Sequence, residues 1–366
     1  MKKVFVGLSG GVDSSVAALL LKKQGYEVIG VYMKNWSQDL PGMHCPWKED
    51  YQDAKRVAVQ LGIGFKMYDF QKEYKHKVVD YMLAEFKAGR TPNPDIMCNQ
   101  EVKFKLFLET CLEDGADMIA TGHYARAQHA PAKSKKQKAK SKLLVAKDSN
   151  KDQTYFLYRI TPEALSKTLF PLGDLTKPEV REIAKKNNLV TAAKKESMGI
   201  CFVGKVGIKD FLLQYIEPKP GKIIDQNGRA IGQHDGAIFY TIGQRHGLEV
   251  GGGLALYVTG KNMEKNEVFV TTDLQDKNLW SREIHLTDIY WIGNNHFQGL
   301  ALQQGQSLEV RTRYRAKLIS VKRLNPPEAD NSKWVAELDE EVRALTPGQS
   351  AVFYSGDVCL GGGIVY

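Results

Sequence analysis

Apolar positions in the first 130 residues recur with two periods in turn. Val4-Phe5-Val6 is an unbroken apolar run, as in a strand buried on both faces. Val12, Val16, Leu19 and Leu20 then return at i, i+4, i+7 and i+8, one face of a helix. The alternation continues with a strand over EVIGVYM (27–33), a helix over 49–61, a strand over FKMYD (65–69), helices over 71–87 and 101–113, and a strand over DMIAT (117–121). Strands separated by helices of this length predict an α/β fold with a doubly wound parallel sheet, whose ligands bind beyond the carboxyl ends of the strands. Gly10, the stretch after Met33, and Gly122-His123 fall at those ends. Between 155 and 190 the pattern predicts helical segments over YFLYRI (155–160), PEALSKTLF (162–170) and KPEVREIAKKNNL (177–189), the last opened by Thr176 as N-cap with Pro178 in its first turn. After 207, Gly/Pro turns separate short alternating runs, and a second such region covers 281–366, predicting two small β-rich domains, the last a β-barrel. The resulting division is 1–206, including a helical region at about 155–200, then 207–280 and 281–366.

Charge and cysteine content narrow the classes. The chain has 366 residues, room for two or three domains, and carries 51 Lys and Arg against 42 Asp and Glu. That balance suits a polyanionic partner such as RNA. No run of eighteen apolar residues occurs, and the first strand starts within four residues of Met1, so a cytoplasmic protein with no membrane association is expected. Five cysteines (45, 98, 111, 201 and 359) contain no C-x-x-C pair, which argues against a disulfide framework and against a four-thiolate zinc site. The run PAKSKKQKAKSK (131–142) holds six lysines and no acid, and reads as an exposed loop.

The candidate chemistry sits in a few segments. After the first strand, Ser9-Gly10-Gly11 precedes a helix start, an arrangement that aims backbone N–H groups and the positive helix end at one point. Gly10 and Gly11 allow positive φ and close backbone approach to an anion. In TPNPDIMCNQEVKF (91–104), Pro92 and Pro94 predict a rigid extended turn. Asp95 and Cys98, three apart, share a face if the chain turns helical there. This offers a proton acceptor beside a nucleophile, or else a helix-capping aspartate beside a small core residue. ESMGICFVG (196–204) holds Cys201, and RTRYRAK (311–317) interleaves basic residues with Tyr314 on an expected strand, with Arg311, Arg313, Arg315 and Lys317 on one face.

SGGVDSS (9–15) resembles the PP-loop of the ATP pyrophosphatases. With NPDIMCN-x-x-VKF, ATGHYAR (120–126), KDQTYFL (151–157), ESMGICFVG, YTIGQRHGL (240–248) and the terminal GQSAVFYSGDVCLGGGI, the chain closely resembles the tRNA-specific 2-thiouridylase family over essentially its whole length. The lysine run at 131–142 is longer than the family's usual connector. The resemblance implies an ATP-dependent sulfurtransferase making 2-thiouridine at the wobble uridine of tRNAs for Lys, Glu and Gln, with ATP and Mg²⁺ as cofactors. It implies that Gly7, Leu8, Ser9, Gly10, Gly11, Val12, Asp13 and Ser14 hold ATP, with Met33 and Gly122 lining the adenosine. Asn93, Pro94 and Asp95 would meet the target base, Cys98 would be the catalytic thiol and Cys201 the persulfide carrier. His123, Lys151, Asp152, Gln153, Arg313, Tyr314 and Gln349 would touch the tRNA anticodon stem-loop, and a cysteine desulfurase or sulfur-relay protein would supply sulfur. Other readings are a small-molecule PP-loop synthetase, a non-catalytic RNA binder, and an iron–sulfur thiolase ligated by Asp95, Cys98 and Cys201.

Overall fold

The computed structural model describes residues 1–39, 45–129, 141–195, 207–248, 250, 253, 255–293, 307–327 and 333–366. In the first part β1 (Lys3–Gly7), β2 (Glu27–Lys34), β3 (Gly64–Asp69) and β4 (Met118–Ala120) run parallel, with α1 (Val12–Lys23) and α2 (Trp47–Leu61) among the crossovers. The strand order is β3-β2-β1-β4, extended on the β4 edge by a two-residue strand, Thr168–Leu169. β1 is the centre. Phe5 belongs to the core on one face, and Val4 and Val6 belong to the core on the other, all three fully buried. That is the double winding its apolar run predicts.

Two local expectations change. The helices expected over 155–160, 162–170 and 177–189 are present but shorter, at Thr154–Leu157, Pro162–Ser166 and Lys177–Lys186. Between the last two, fully buried, β-branched Thr168 enters the sheet as part of that edge strand, where Ile119 N–H donates to Lys167 O. α1 is buried nearly all round, including Ala17, Ala18 and Leu21 as well as Val12, Val16 and Leu19. It lies between the sheet and the Lys177–Lys186 helix, which contributes Val180 and Ala184 to the same core.

Two β-rich parts follow. With β5 (Arg126–His129) and β6 (Ser141–Leu144) numbered in the first part and Thr168–Leu169 as β7, the central sheet has the order β10-β11-β8-β9. It is built from β8 (Gly221–Ile224), β9 (Ala230–His234), β10 (Tyr257–Asn262) and β11 (Glu267–Thr271). The C-terminal part is a closed six-stranded barrel of β12 (Trp280–Trp291), β13 (Glu309–Arg311), β14 (Ile319–Asn325), β15 (Trp334–Arg343), β16 (Ser350–Ser355) and β17 (Val358–Val365), closed by β12–β17 pairing. Ile284, Leu286, Val310, Val321, Leu338 and Phe353 belong to its buried core. The β5–β6 hairpin pairs with β17, so the first part donates two strands to the barrel's sheet. Where strands crowd at Gly361, a Cβ would stand 2.1 Å from Tyr290 O, so only glycine fits.

Candidate active site

The chain leaves β1 at Gly7, and Leu8 N–H donates to Val31 O (2.8 Å), which keeps the turn against β2. Gly10 takes φ +75 and faces Asp50 at the start of α2, with a Cβ there only 2.4 Å from Asp50 O. Gly11 does not use that freedom. It is extended (φ −94, ψ 166) and serves as the N-cap of α1, so of the two glycines only Gly10 uses the left-handed region. Ser14 Oγ ties the loop together, accepting from Ser9 N–H (3.2 Å) and donating to Gly11 O (3.2 Å). Ser9 is exposed at the mouth. Gly122, just beyond β4, packs so closely that a Cβ would lie 2.7 Å from Ser14 N. A Cβ on Gly7 would meet Met33 Cε at 3.0 Å. The expected nucleotide residues thus gather at the carboxyl ends of β1, β2 and β4, around the amino end of α1.

Asp13, in the first turn of α1, accepts from Tyr124 OH (3.0 Å) and from Lys177 Nζ at both carboxylate oxygens (2.7 and 2.8 Å). Neither partner is close to it in sequence. On the opposite wall Lys194 Nζ bridges Asp50 (2.7 Å) and Asp53 (2.6 Å) of α2, and the Arg181 guanidinium donates to Ala192 O and Lys194 O. The chain is therefore pinned beside the loop two residues before the stretch that carries Cys201, which lies outside the described residues together with 196–206.

The Cys98 segment begins with Asn93, whose Oδ1 accepts from Asp95 N–H, so Asn93 and not Asp95 caps the helix. Pro94 occupies the first helical position, where its missing N–H costs nothing. Residues 94–113 are helical without a break, but Cys98–Leu106 is π-helical, a departure from α geometry that frequently marks functional positions. Cys98 is fully buried, and Asp95 is half-buried one turn earlier. The neighbouring Asn99 donates from Nδ2 to Phe156 O (3.0 Å), while its Oδ1 is buried with no hydrogen-bond partner among the described residues. Thr121–His123 connects the two halves of the site. Gly122 abuts Ser14, and the His123 ring packs on Phe104 (5.7 Å between centroids) of the helix that Cys98 begins.

The segment is also fastened from outside its own domain. Thr91 N–H donates to Pro347 O (2.8 Å), Gln349 Nε2 donates to Thr91 O (2.8 Å), and Thr91 Oγ1 lies 3.2 Å from Thr241 Oγ1. Thr241 opens the TIGQR turn. There the carbonyl of Ile242 accepts from Arg313 Nη2 (3.2 Å), and Gly243 (φ +82) leaves no room for a Cβ beside Ala344. All three parts of the molecule meet behind the Cys98 segment.

With this geometry the comparisons with known proteins agree. Residues 2–205 match the family described as tRNA methyl transferase HUP domain, 209–272 the tRNA methyl transferase PRC-barrel domain, and 281–365 the aminomethyltransferase beta-barrel domain. The chain is 47% identical to the tRNA-specific 2-thiouridylase MnmA of Bacillus subtilis (strain 168), over 99% of this chain and 94% of that one. It is 48% identical to the protein of the same name from Bacillus licheniformis, with the same coverage. The chain belongs to the tRNA-specific 2-thiouridylase family. A solved 4-thiouridine synthetase–RNA complex with bound ATP is far more distant (20% identity, TM-score 0.37, 58% of this chain and 49% of that chain), and no residue is placed by it.

In this thiouridylase-family chain the expected tRNA contacts divide by exposure. His123 is buried, its Nδ1 2.7 Å from Thr121 Oγ1, and burial, with Lys103 nearby, holds its imidazole well below the usual histidine range. Asp152 is buried too, accepting from Ala146 N–H and Thr154 Oγ1, with Arg311 Nη1 at 3.5 Å, and burial pushes its carboxyl up. Gln153 Oε1 accepts from Tyr124 N–H, while Lys151 is half-buried. Arg313 remains exposed although its Nη2 is held by Ala344 O (2.6 Å), and half-buried Tyr314 packs on Phe156 at 4.5 Å. The expected strand over 311–317 ends at Arg311. Residues 312–317 turn, with Arg315 at φ +63, so the basic residues do not line one face. Arg315 instead donates to Asn150 O, and Lys317 pairs with Glu340. Lysines 133–140 lie outside the described residues.

The other cysteines are poor candidates for the chemistry. Cys45, Cys111 and Cys359 are buried, and desolvation pushes each thiol up, away from thiolate. Among the described residues no helix is long and apolar enough to cross a membrane, and no cluster of three His, Cys, Asp or Glu side chains forms a metal site. Asp13 fits Mg²⁺ in a different way, as the single carboxylate that such an ion takes beside substrate phosphates. Lys177, Lys194 and Thr241 are the contributions that motif reading missed. Each acts through a contact across more than a hundred residues, and no local spacing signals it.

Proposed function

We propose that this chain, a member of a family of tRNA sulfurtransferases, converts the wobble uridine of tRNAs for Lys, Glu and Gln to 2-thiouridine. The observation that carries the reading is the Thr121–His123 turn, which abuts the phosphate-loop helix at Ser14 and the Cys98 helix at Phe104. One turn thereby joins a place suited to a nucleotide's phosphates with a place suited to a thiol.

The C2 oxygen of uracil is a poor leaving group. In the proposed sequence it attacks the α-phosphorus of ATP, pyrophosphate departs, and the oxygen becomes part of an adenylate. The N–H groups at the amino end of α1 stabilise the negative charge that accumulates on pyrophosphate. Mg²⁺ held by Asp13 supplies further charge neutralisation when bound. The terminal sulfur of a persulfide on Cys201 attacks C2 and AMP leaves with the oxygen. The Cys98 thiolate then attacks Cys201 Sγ, breaking the sulfur–sulfur bond and leaving a Cys98–Cys201 disulfide for an external reductant. Asp95, half-buried one helical turn from Cys98, is the proposed acceptor of its proton.

Arg313, Tyr314, Lys151 and Gln349, on the barrel side of the Cys98 segment, are proposed to take the anticodon stem-loop, with Asn93 and Pro94 at the base. Placement in the cytoplasm, use of a protein persulfide donor, and the functional division 1–206, 207–280 and 281–366 belong to the same proposal. The families matched by the first two domains are named for methyl transfer. A cationic sulfonium methyl donor is disfavoured where a helix amino end and the Lys177 ammonium already converge, whereas a polyphosphate is favoured. Mass spectrometry of nucleosides from unmodified tRNA incubated with the protein, ATP, Mg²⁺ and a sulfide or persulfide source tests the reading. ATP-dependent 2-thiouridine supports it, and its absence, or a methylated base, overturns it.

A further inference from the structure

The two residues that follow the Cys98 thiol are tied to one neighbouring segment. Asn99 Nδ2 donates to Phe156 O, and Gln100 Oε1 accepts from Arg159 Nε (2.5 Å). Both bonds fall at the start of the π-helical stretch that Cys98 opens. Phe156 and Arg159 end in turn on the barrel side. Phe156 packs on Tyr314. Arg159 holds β12 at Asp288, donating from Nη1 to its carbonyl (3.1 Å) and pairing through Nη2 with its carboxylate (2.9 Å). The guanidinium is enclosed. Its side chain is only 12% exposed and lies over the rings of Tyr158 and Tyr290 (5.7 and 5.8 Å).

β12 is deformed where it meets this guanidinium. Between Thr287 and Tyr290 it holds one residue more than β17 does opposite, and at that bulge Asp288 takes φ +47. Left-handed backbone is strained for a residue with a side chain, and it persists only where the surroundings hold it. Here it lets Asp288 present both its carbonyl and its carboxylate to one arginine. Arginine suits the other end, because its rigid planar fork donates to Gln100 and Asp288 at once in fixed directions. Building on the thiolation reading above, we propose that Arg159 is a positioning residue for the Cys98 thiol. It acts as a strut between the barrel, which takes the anticodon stem-loop in that reading, and Gln100, two residues beyond the thiol. When the stem-loop sits on the barrel, the strut fixes how far Cys98 stands from the base it must serve. None of its contacts among the described residues reaches the phosphate loop. The step that uses the thiol therefore depends on Arg159, and activation by ATP does not.

Steady-state thiolation of unmodified tRNA from a persulfide donor, with tRNA-dependent ATP–pyrophosphate exchange measured on the same full-length variants, tests the role. Arg159→Met should lower kcat for thiolation at least roughly fivefold, with KM for tRNA and the exchange rate within about twofold of wild type. Arg159→Lys, which keeps the charge and loses the fork, should recover part of that loss. Gln100→Leu should show the same split. The Arg159→Met/Gln100→Leu double variant should lose no more than the weaker single variant, because both changes cut one strut. If Arg159→Met is poorly folded by thermal unfolding, Arg159→Lys and Gln100→Leu carry the same measurements. Unchanged kcat in these variants would overturn the role. So would a change confined to KM for tRNA, which would make Arg159 an RNA contact, or an equal fall in exchange, which would make it a general prop of the fold. Losses that multiply in the double variant would also overturn it, since Arg159 would then act elsewhere than through Gln100. Failure of wild type itself to form 2-thiouridine would overturn the thiolation reading and this inference together.

Discussion

Between Gly7 and Ser14 the phosphate loop is shaped mostly by its own neighbours, through bonds such as Ser9 N–H to Ser14 Oγ and Ser14 Oγ to Gly11 O. The Cys98 segment is held the other way. Thr91 reaches Thr241, 150 positions on, and Gln349, 258 positions on, before the helix that carries the thiol begins. A phosphate cradle needs only backbone N–H groups in a fixed turn, and a short sequence can dictate that. A thiol proposed to meet a base on a folded RNA has to be placed relative to the rest of the molecule, and here the Cys98 segment is fastened to Thr241 of the central part and Gln349 of the barrel. The two regions should therefore fail differently when altered.

Gly10→Ala breaks the local device. It forces a side chain into positive φ and onto Asp50 O, and tRNA-dependent ATP–pyrophosphate exchange should fall by about a hundredfold or more. Gly11→Ala is the matched control. Its backbone is extended, and the nearest atom to a new Cβ is Ser9 Oγ at 3.4 Å, so exchange should stay within a few-fold of wild type. Equal losses in the two variants would mean that the loop's shape is not what matters.

Asp13→Ala removes a carboxylate from the first turn of α1, and Ser14→Ala removes the hydroxyl that ties Ser9 to Gly11. Each should cost at least roughly tenfold in exchange, about 1.4 kcal/mol of transition-state stabilisation. Unchanged exchange in both would remove the phosphate-loop assignment.

Gln349→Ala probes the long-range device. Loss of its bond to Thr91 O is worth about 0.5–1.5 kcal/mol, so thiolation should slow by roughly two- to tenfold with nucleotide affinity unchanged. A fall in kcat marks positioning of the Cys98 segment, whereas a change confined to KM for tRNA would mark Gln349 as an RNA contact alone.

The turn that joins the two regions has a pH signature. His123 is held neutral by burial, so below its ordinary pKa of about 6.5 the unfolded chain takes up a proton that the folded chain refuses. Its contribution to stability is complete above that pH and is lost as pH falls, by at most about 1.4 kcal/mol per pH unit. His123→Gln should show a correspondingly flatter loss of stability between pH 6.5 and 5 in denaturant titrations. Parallel curves would place His123 in solvent.

The same contrast explains what was legible in the sequence. Val4-Phe5-Val6, the serine–glycine turn and the periodic face of α1 each encode their structure within a few residues, and the parallel sheet and the loop at its edge follow from them. Thr176 and Pro178 likewise announced their helix. The strand expected over 311–317 failed because its alternating basic residues are used one by one. Arg313 is bonded to Ala344 O, Arg315 to Asn150 O and Lys317 to Glu340, and a turn serves those bonds better than a strand. Thr168–Leu169 became a strand only because β4 offered it an open edge. Lys177 and Lys194 could not be read at all, since their partners Asp13 and Asp50 lie 164 and 144 positions away. In this molecule the chemistry-bearing turns were visible locally, and the charges that tune them were not.

The most direct test separates activation from sulfur transfer in one set of variants. Cys201→Ser and Cys98→Ser, with Cys45→Ser, Cys111→Ser and Cys359→Ser as controls, are assayed for tRNA-dependent AMP or adenylate formation and for sulfur bound to tRNA from a persulfide donor. The account predicts that Cys201→Ser adenylates but transfers no sulfur. Cys98→Ser should accept persulfide sulfur on Cys201 yet fail to turn over, and the three controls should thiolate with at most a modest stability loss from a buried hydroxyl. Wild-type thiolation by Cys201→Ser would contradict it.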